Sequence, residues 1–286
     1  MGCLNDDDYG HWFANVHLSG RCNRSCYFCI GQHMPGVDPL DTTSAWPLPG
    51  FGDFIGSCRA RPIRQVCLTG SNTDPSLYSQ HERFAAAVRR ELPGVALALR
   101  TNGVAIGKIR AIAPLYDKAS VSITSLDPEL YRATMGSGSP PDLEAILRLW
   151  SDVKVNVVLC PETAGSDLLR TLRQLADAGV KRINVREPYG QPHLGDPMRG
   201  VFPPHGTTLG CPSYRVGDAV VTYWDVHFTE VSSVNLFANG RVTEEYSVTL
   251  GHDARLGRVR DQGQFVHGRQ HPQWVGRAGV IASPSP

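Results

Sequence analysis

Val153-Lys154-Val155-Asn156-Val157-Val158-Leu159-Cys160 alternates apolar and polar residues over its first five positions. Side chains on an extended chain point to opposite faces in turn. Val153, Val155, Val157 and Leu159 therefore share one face, and Lys154 and Asn156 fall on the other. Five further stretches split in the same way: Trp12–Leu18, Ile63–Thr69, Val95–Thr101, Ala119–Thr124 and Lys181–Glu187. Their polar sets are Asn15 with His17, Gln65 with Thr69, Arg100 with Asn102, Ser120 with Ser122 and Thr124, and Asn184 with Arg186.

Helical stretches lie between these strands. Asp74-Pro75 and Asp127-Pro128 read as helix starts, with Asp as cap and Pro in the first turn. Ile106 to Tyr116 reads as a helix, Leu143, Ile146, Leu147 and Trp150 recur at helical spacing, and Ser166 precedes a leucine-rich face stopped by Gly179. Strand and helix in alternation mean a parallel sheet with helical crossovers. A doubly wound sheet would have uniformly apolar strands, and a closed eight-stranded barrel fills its interior with branched apolar side chains. Six strands with one polar face each fit neither. The pattern predicts an α/β fold, a splayed (β/α)6 partial barrel whose lumen holds something polar.

The first strand leads into Cys22-Asn23-Arg24-Ser25-Cys26-Tyr27-Phe28-Cys29, three cysteines spaced C-x3-C-x2-C. Three thiolates on one short loop can hold three irons of a 4Fe–4S cube and leave the fourth iron open. With His33 added, the same residues make a possible closed Cys3His zinc site, and buried inert thiols are a third reading. The remaining cysteines, Cys3, Cys58, Cys67, Cys160 and Cys211, stand apart from one another. They predict reduced thiols and no second cluster.

The spacing, with aromatic Phe28 before the third cysteine, resembles the radical S-adenosylmethionine (AdoMet) superfamily over roughly residues 10–190. The resemblance implies a TIM-like partial barrel, one 4Fe–4S cluster on Cys22, Cys26 and Cys29, and AdoMet chelated at the open iron. It also implies reductive cleavage of AdoMet to a 5′-deoxyadenosyl radical that takes hydrogen from a substrate. A reductase such as flavodoxin or ferredoxin is the implied electron donor.

Thr69-Gly70-Ser71-Asn72-Thr73-Asp74-Pro75 stands where the family commonly has Gly-Gly-Glu-Pro. It lacks the second Gly and the Glu. By resemblance Gly70, Ser71, Asn72 and Asp74 would serve the AdoMet amino group. Ser122-Ile123-Thr124-Ser125-Leu126-Asp127 resembles the branch containing the molybdenum-cofactor GTP-cyclising and peptide-modifying enzymes, which implies Ser122 and Thr124 as AdoMet contacts, with Asn156, Arg186 and Phe28 beside them. Arg100, Lys154 and His17 are left as lumen groups for substrate. Converging cations in a low-dielectric cavity need anions, so the expected substrate is a small anionic metabolite or nucleotide-like molecule. Pairing of the arginines with Glu187 or Asp127 is the competing reading. Activation of a glycyl-radical partner and a zinc-stabilised binding module are the alternative functions.

The chain has 286 residues, 41% hydrophobic and 19% charged, with net charge +1. Such a balance predicts a folded chain and no affinity for nucleic-acid polymers. Its stretches lack an 18-residue apolar run and an apolar leader, so a cytoplasmic protein without membrane contact is expected. Gly31 to Pro62 is rich in Pro and shows no helical period over most of its length. Residues 191–281 read as a loop followed by a small antiparallel β extension with a hairpin turn at Asn239-Gly240, capping the open side of the barrel. Trp224, Asp225, His227 and Glu230 are candidate groups on that cap, and residues 282–286 a disordered tail.

Overall fold

A computed structural model describes residues 12–32, 40–188, 194–225 and 231–244. The strands predicted from alternation are present: β1 (Trp12–Leu18), β2 (Gln65–Gly70), β3 (Ala96–Thr101), β4 (Lys118–Ile123), β5 (Val153–Val158) and β6 (Arg182–Arg186). They pair in that order, all parallel. The register carries the alternation across the sheet. Asn15 lies opposite Cys67, His17 opposite Thr69, Arg100 opposite Ser120, Ser122 opposite Asn156, and Asn156 opposite Asn184.

The other face packs against helices. Val16, Leu68, Leu99, Val121, Val155 and Ile183 are buried to 1% exposure or less, each contributing roughly 1.5–3 kcal/mol of burial. They meet α2 (His81–Glu91), α3 (Ile106–Ile112), α4 (Pro128–Met135), α5 (Leu143–Leu147) and α6 (Ser166–Asp177) in one apolar core.

Several boundaries differ from the sequence reading. Asp74-Pro75 opens only a single 3-10 turn at Pro75–Leu77, and α2 begins at His81. Gly165, not Ser166, stands at the cap of α6. Within the Pro-rich stretch lies a helix, α1 (Phe51–Arg59), whose Phe54, Ile55 and Cys58 are buried. Gly52 and Gly56 weaken its local propensity, so packing holds it.

The larger difference concerns the C-terminal strands. β7 (Pro204–Thr208), β8 (Cys211–Val216) and β9 (Ala219–Tyr223) form an antiparallel meander, part of it in a stretch read as loop. β10 (Ser232–Leu236) and β11 (Val242–Thr243) form the predicted hairpin around Asn239-Gly240. Yet β9 joins β6 in parallel and β10 joins β1 in parallel. These strands therefore extend the barrel sheet at both edges. An exposed strand edge carries unpaired backbone donors and acceptors, and the edges of β1 and β6 are satisfied in this way. The order β11-β10-β1-β2-β3-β4-β5-β6-β9-β8-β7 does not close on itself.

Candidate active site

Parallel strands bring their carboxyl ends to one rim, and β1 delivers the cysteine loop there. The β2 turn supplies three anchors. Gly20 N–H donates to Asn72 Oδ1 at 3.0 Å, Thr73 Oγ1 donates to Arg21 O at 3.0 Å, and Cys29 Sγ lies 3.7 Å from Ser71 O. Asn102, at the end of β3, donates to Asn23 Oδ1 at 2.6 Å. From α4, Met135 O accepts Ser25 N–H at 3.3 Å, and Met135 Sδ sits 3.5 Å from Cys26 Sγ.

Cys22, Cys26 and Cys29 are half-buried and unbridged. Burial raises all three thiols, and Cys26 is pushed up to about 12 by burial first and by Cys29 and Cys22 next. Three thiols that feel one another inside a partly desolvated loop gain from a cation that takes them as thiolates. No three His, Cys, Asp or Glu side chains among the described residues converge on a single metal ion. A 4Fe–4S cluster there would take one thiolate on each of three irons. His33, the fourth ligand of the zinc reading, lies outside the described residues.

The predicted cofactor residues divide. Gly70 closes the β2 turn so tightly that a Cβ there would stand 1.8 Å from Thr73 O. Ser71 is buried, with its carbonyl toward Cys29, and Asn72 holds the loop backbone. Asp74 is committed to partners within the protein and also lies near enough to Cys22 to raise that thiol. Its Oδ1 accepts Ser76 N–H, Ser76 Oγ–H and Thr101 Oγ–H, and its Oδ2 accepts Asn102 N–H at 2.6 Å. The carboxylate is a buried clamp between β2 and β3.

Thr124 also leaves the lumen set. β4 ends at Ile123, alternation no longer applies, and Thr124 is wholly buried against Thr134 of α4 at 2.7 Å. Ser122 stays on the lumen face beside Asn156. Asn156 Nδ2 donates to Ser120 Oγ at 2.5 Å, and its Oδ1 accepts Arg186 Nη2 at 3.4 Å. Phe28 packs at the edge of the core, edge-on to Tyr27 at 5.5 Å.

The substrate candidates surround the lumen. Burial pushes the Cys67 thiol up against the opposing pull of Arg100, Lys154 and Lys118, which places those three cations around it. Arg100 Nε is buried without a hydrogen-bond partner. The acids proposed for the arginines also have partners of their own. Asp127 caps α4 through Glu129 N–H and Leu130 N–H, and Glu187 accepts Tyr223 O–H at 2.7 Å and Leu194 N–H at 2.7 Å. His17 is 7% exposed and stacks on Phe237 at 5.0 Å and 12°. Burial first, and Arg100 second, lower its pKa to about 4 against the opposing pull of Asn235. It is neutral at neutral pH.

Sequence reasoning missed Asn102, Met135, Asn235 and Phe237 as contributors. Each comes from an element distant in sequence, and only the polar-face position of Asn102 carried a signal. Of the candidates on the C-terminal segment, Trp224 is buried and continues the pairing of β9 through its N–H to Val185 O. His227 and Glu230 lie outside the described residues.

An open α/β barrel with six parallel central strands, a polar face and three thiols on the loop after its first strand defines a class, the partial barrels that carry a cysteine loop at their strand ends. The particular family follows from sequence. The Radical SAM superfamily matches residues 16–161, half of the chain, and the protein belongs to that superfamily. Its members use a 4Fe–4S cluster with AdoMet.

A probable GTP 3′,8-cyclase of Methanopyrus kandleri is 29% identical over 188 residues, covering 62% of this chain and 57% of that protein. The FeMo cofactor biosynthesis protein NifB of Klebsiella pneumoniae is 24% identical over 263 residues, covering 81% and 56%. The chain thus spans just over half the length of these curated relatives. Among solved structures, Streptococcus suis SuiB bound to S-adenosylmethionine aligns with TM-score 0.48 and 15% identity, covering 66% of this chain and 43% of that one.

Proposed function

We propose that the protein is an AdoMet-dependent radical enzyme acting on a small anionic, nucleotide-like metabolite held in the barrel lumen. One observation carries this reading: the three-thiol loop sits at the mouth of a lumen whose polar face includes Arg100, Lys154 and Arg186. Cys22, Cys26 and Cys29 would hold the cluster, and with AdoMet bound it supplies a hydrogen-abstracting carbon radical.

The chain's own residues do the remaining work. The β2 turn fixes the loop and presents the Ser71 carbonyl beside Cys29, where a cofactor amino group could be received. Ser122 and Asn156 offer neutral hydrogen-bonding groups on the lumen face, with Asn156 oriented by Ser120. Arg100 would bind an anionic oxygen of the substrate. The relatives named for GTP cyclisation support a nucleotide-like ligand, and a reductant of the flavodoxin or ferredoxin class would supply the electron. No helix among the described residues is long and apolar enough to cross a membrane.

The test is anaerobic reconstitution with iron and sulfide, followed by reduction with AdoMet and assay for 5′-deoxyadenosine. Wild type is expected to bind about four irons and release the product. The triple Cys22/Cys26/Cys29→Ala variant is expected to do neither. Zinc without sulfide in the wild type would overturn the reading.

A further inference from the structure

The lumen has two chemically different walls. Cations gather on one side, whereas the wall made by β1 and β10 is polar and uncharged. Asn15 donates from Nδ2 to Asn235 Oδ1 at 2.9 Å. Asn235 is in turn held by Ser233 Oγ at 2.9 Å and Thr243 Oγ1 at 3.4 Å. With its amide nitrogen so committed, Asn15 is left with a buried Oδ1 that has no partner.

Two residues further along the same strand face, roughly 6.6 Å on, neither ring nitrogen of His17 has a partner in good hydrogen-bond geometry, Asn235 standing only near enough to oppose the fall of its pKa. Asn15 is 2% exposed and His17 7%. Buried polar atoms are almost always paired, and leaving one unpaired costs about 1–3 kcal/mol. Three such atoms on one wall, beside the unpartnered Nε of Arg100, form a pattern that a ligand would complete.

A neutral imidazole offers one donor and one acceptor, and Asn15 Oδ1 adds a second acceptor. The complement is a ligand edge with two donors and one acceptor. We propose that the Asn15–His17 wall, braced by Asn235 and Phe237 of the C-terminal segment, is a subsite for the edge of a guanine-type base whose phosphates lie toward Arg100. The proposal rests on the anionic, nucleotide-like reading and adds a base-reading element to it. Phe237 fixes the imidazole plane from behind. β10 and Phe237 thereby become part of the recognition surface.

The experiment is equilibrium binding of GTP, ITP, ATP and inorganic tripolyphosphate to the reconstituted full chain, measured by calorimetry at neutral pH. ITP lacks the exocyclic amino donors of GTP, and ATP presents a different edge. GTP is expected to bind at least about tenfold more tightly than ITP or ATP, as one unmatched buried acceptor implies. Asn15→Leu and His17→Phe should collapse that gap while tripolyphosphate binding persists.

Equal affinity for GTP and ITP in the wild type, or a preference that survives both substitutions, overturns the subsite. Tripolyphosphate that binds and is lost on Arg100→Gln would leave the anionic reading standing in that case. Failure of all four probes to bind overturns both. Cluster content of the variants, read by absorbance and iron assay, separates loss of recognition from loss of fold.

Discussion

Asp74 takes the cap position that its Asp-Pro pair predicts and serves as a clamp as well. It stands where a glutamate would meet the cofactor in the family pattern, yet its carboxylate accepts hydrogen bonds from Ser76, Thr101 and Asn102. Asp74→Asn replaces one acceptor oxygen with a donor facing donors. It is expected to cost about 2–4 kcal/mol, read as a lowered urea midpoint. A midpoint within error of wild type would contradict the clamp.

The buried histidines carry a pH signature. His17 and His81 are both lowered to about 4, each chiefly by burial. Between pH 4 and 6.5 the unfolded chain binds more protons than the folded one. Their contribution is therefore whole above pH 6.5 and lost as pH falls toward 4, up to about 3 kcal/mol each. Denaturation midpoints across that range should fall with acidity, and the slope should flatten in a His17→Gln, His81→Gln variant.

At the scale of elements, α4 acts on the cysteine loop through its last turn. Gly136 ends the helix at φ 86°, and a Cβ there would stand 2.1 Å from Ser25 Oγ. Gly136→Ala meets a conformational cost of about 1–2 kcal/mol and pushes the loop that carries Cys26. Iron content per chain after reconstitution should fall along with the melting temperature; full iron loading would show that the contact is dispensable. α1 depends on a similar approach, since Gly50, at φ 69°, admits Gly240 O to within 2.1 Å of where its Cβ would be. The helix that the sequence pattern did not reveal is thus docked on the hairpin turn that it did reveal.

At the scale of the molecule, β10 completes the edge of β1 and places Asn235 and Phe237 against the lumen. Truncation after residue 230 would expose that edge and the apolar surface around Val234 and Leu236. Hydrogen exchange should then show the amides of β1 opening ahead of those of β4 and β5, with cluster loading lost. Unchanged protection of β1 would mean that β10 is an ornament of the sheet and not a support.

The period-two alternation of six strands determined by itself the parallel sheet, its order along the chain and its polar lumen. Alternation is a local property of extended backbone, and each strand displays it without knowledge of its neighbours. The three cysteines were equally visible, because their spacing lies within one short loop. Tertiary structure alone decided that Asp74 ties β2 to β3 and that Thr124 packs on α4, since strand ends and turns escape alternation. It also decided that Met135 and Asn102 fix the cysteine loop and that β9 and β10 join opposite edges of the sheet. Those pairings are set by which backbone edges are left unsatisfied once the six strands have assembled, a condition that no short stretch of sequence contains.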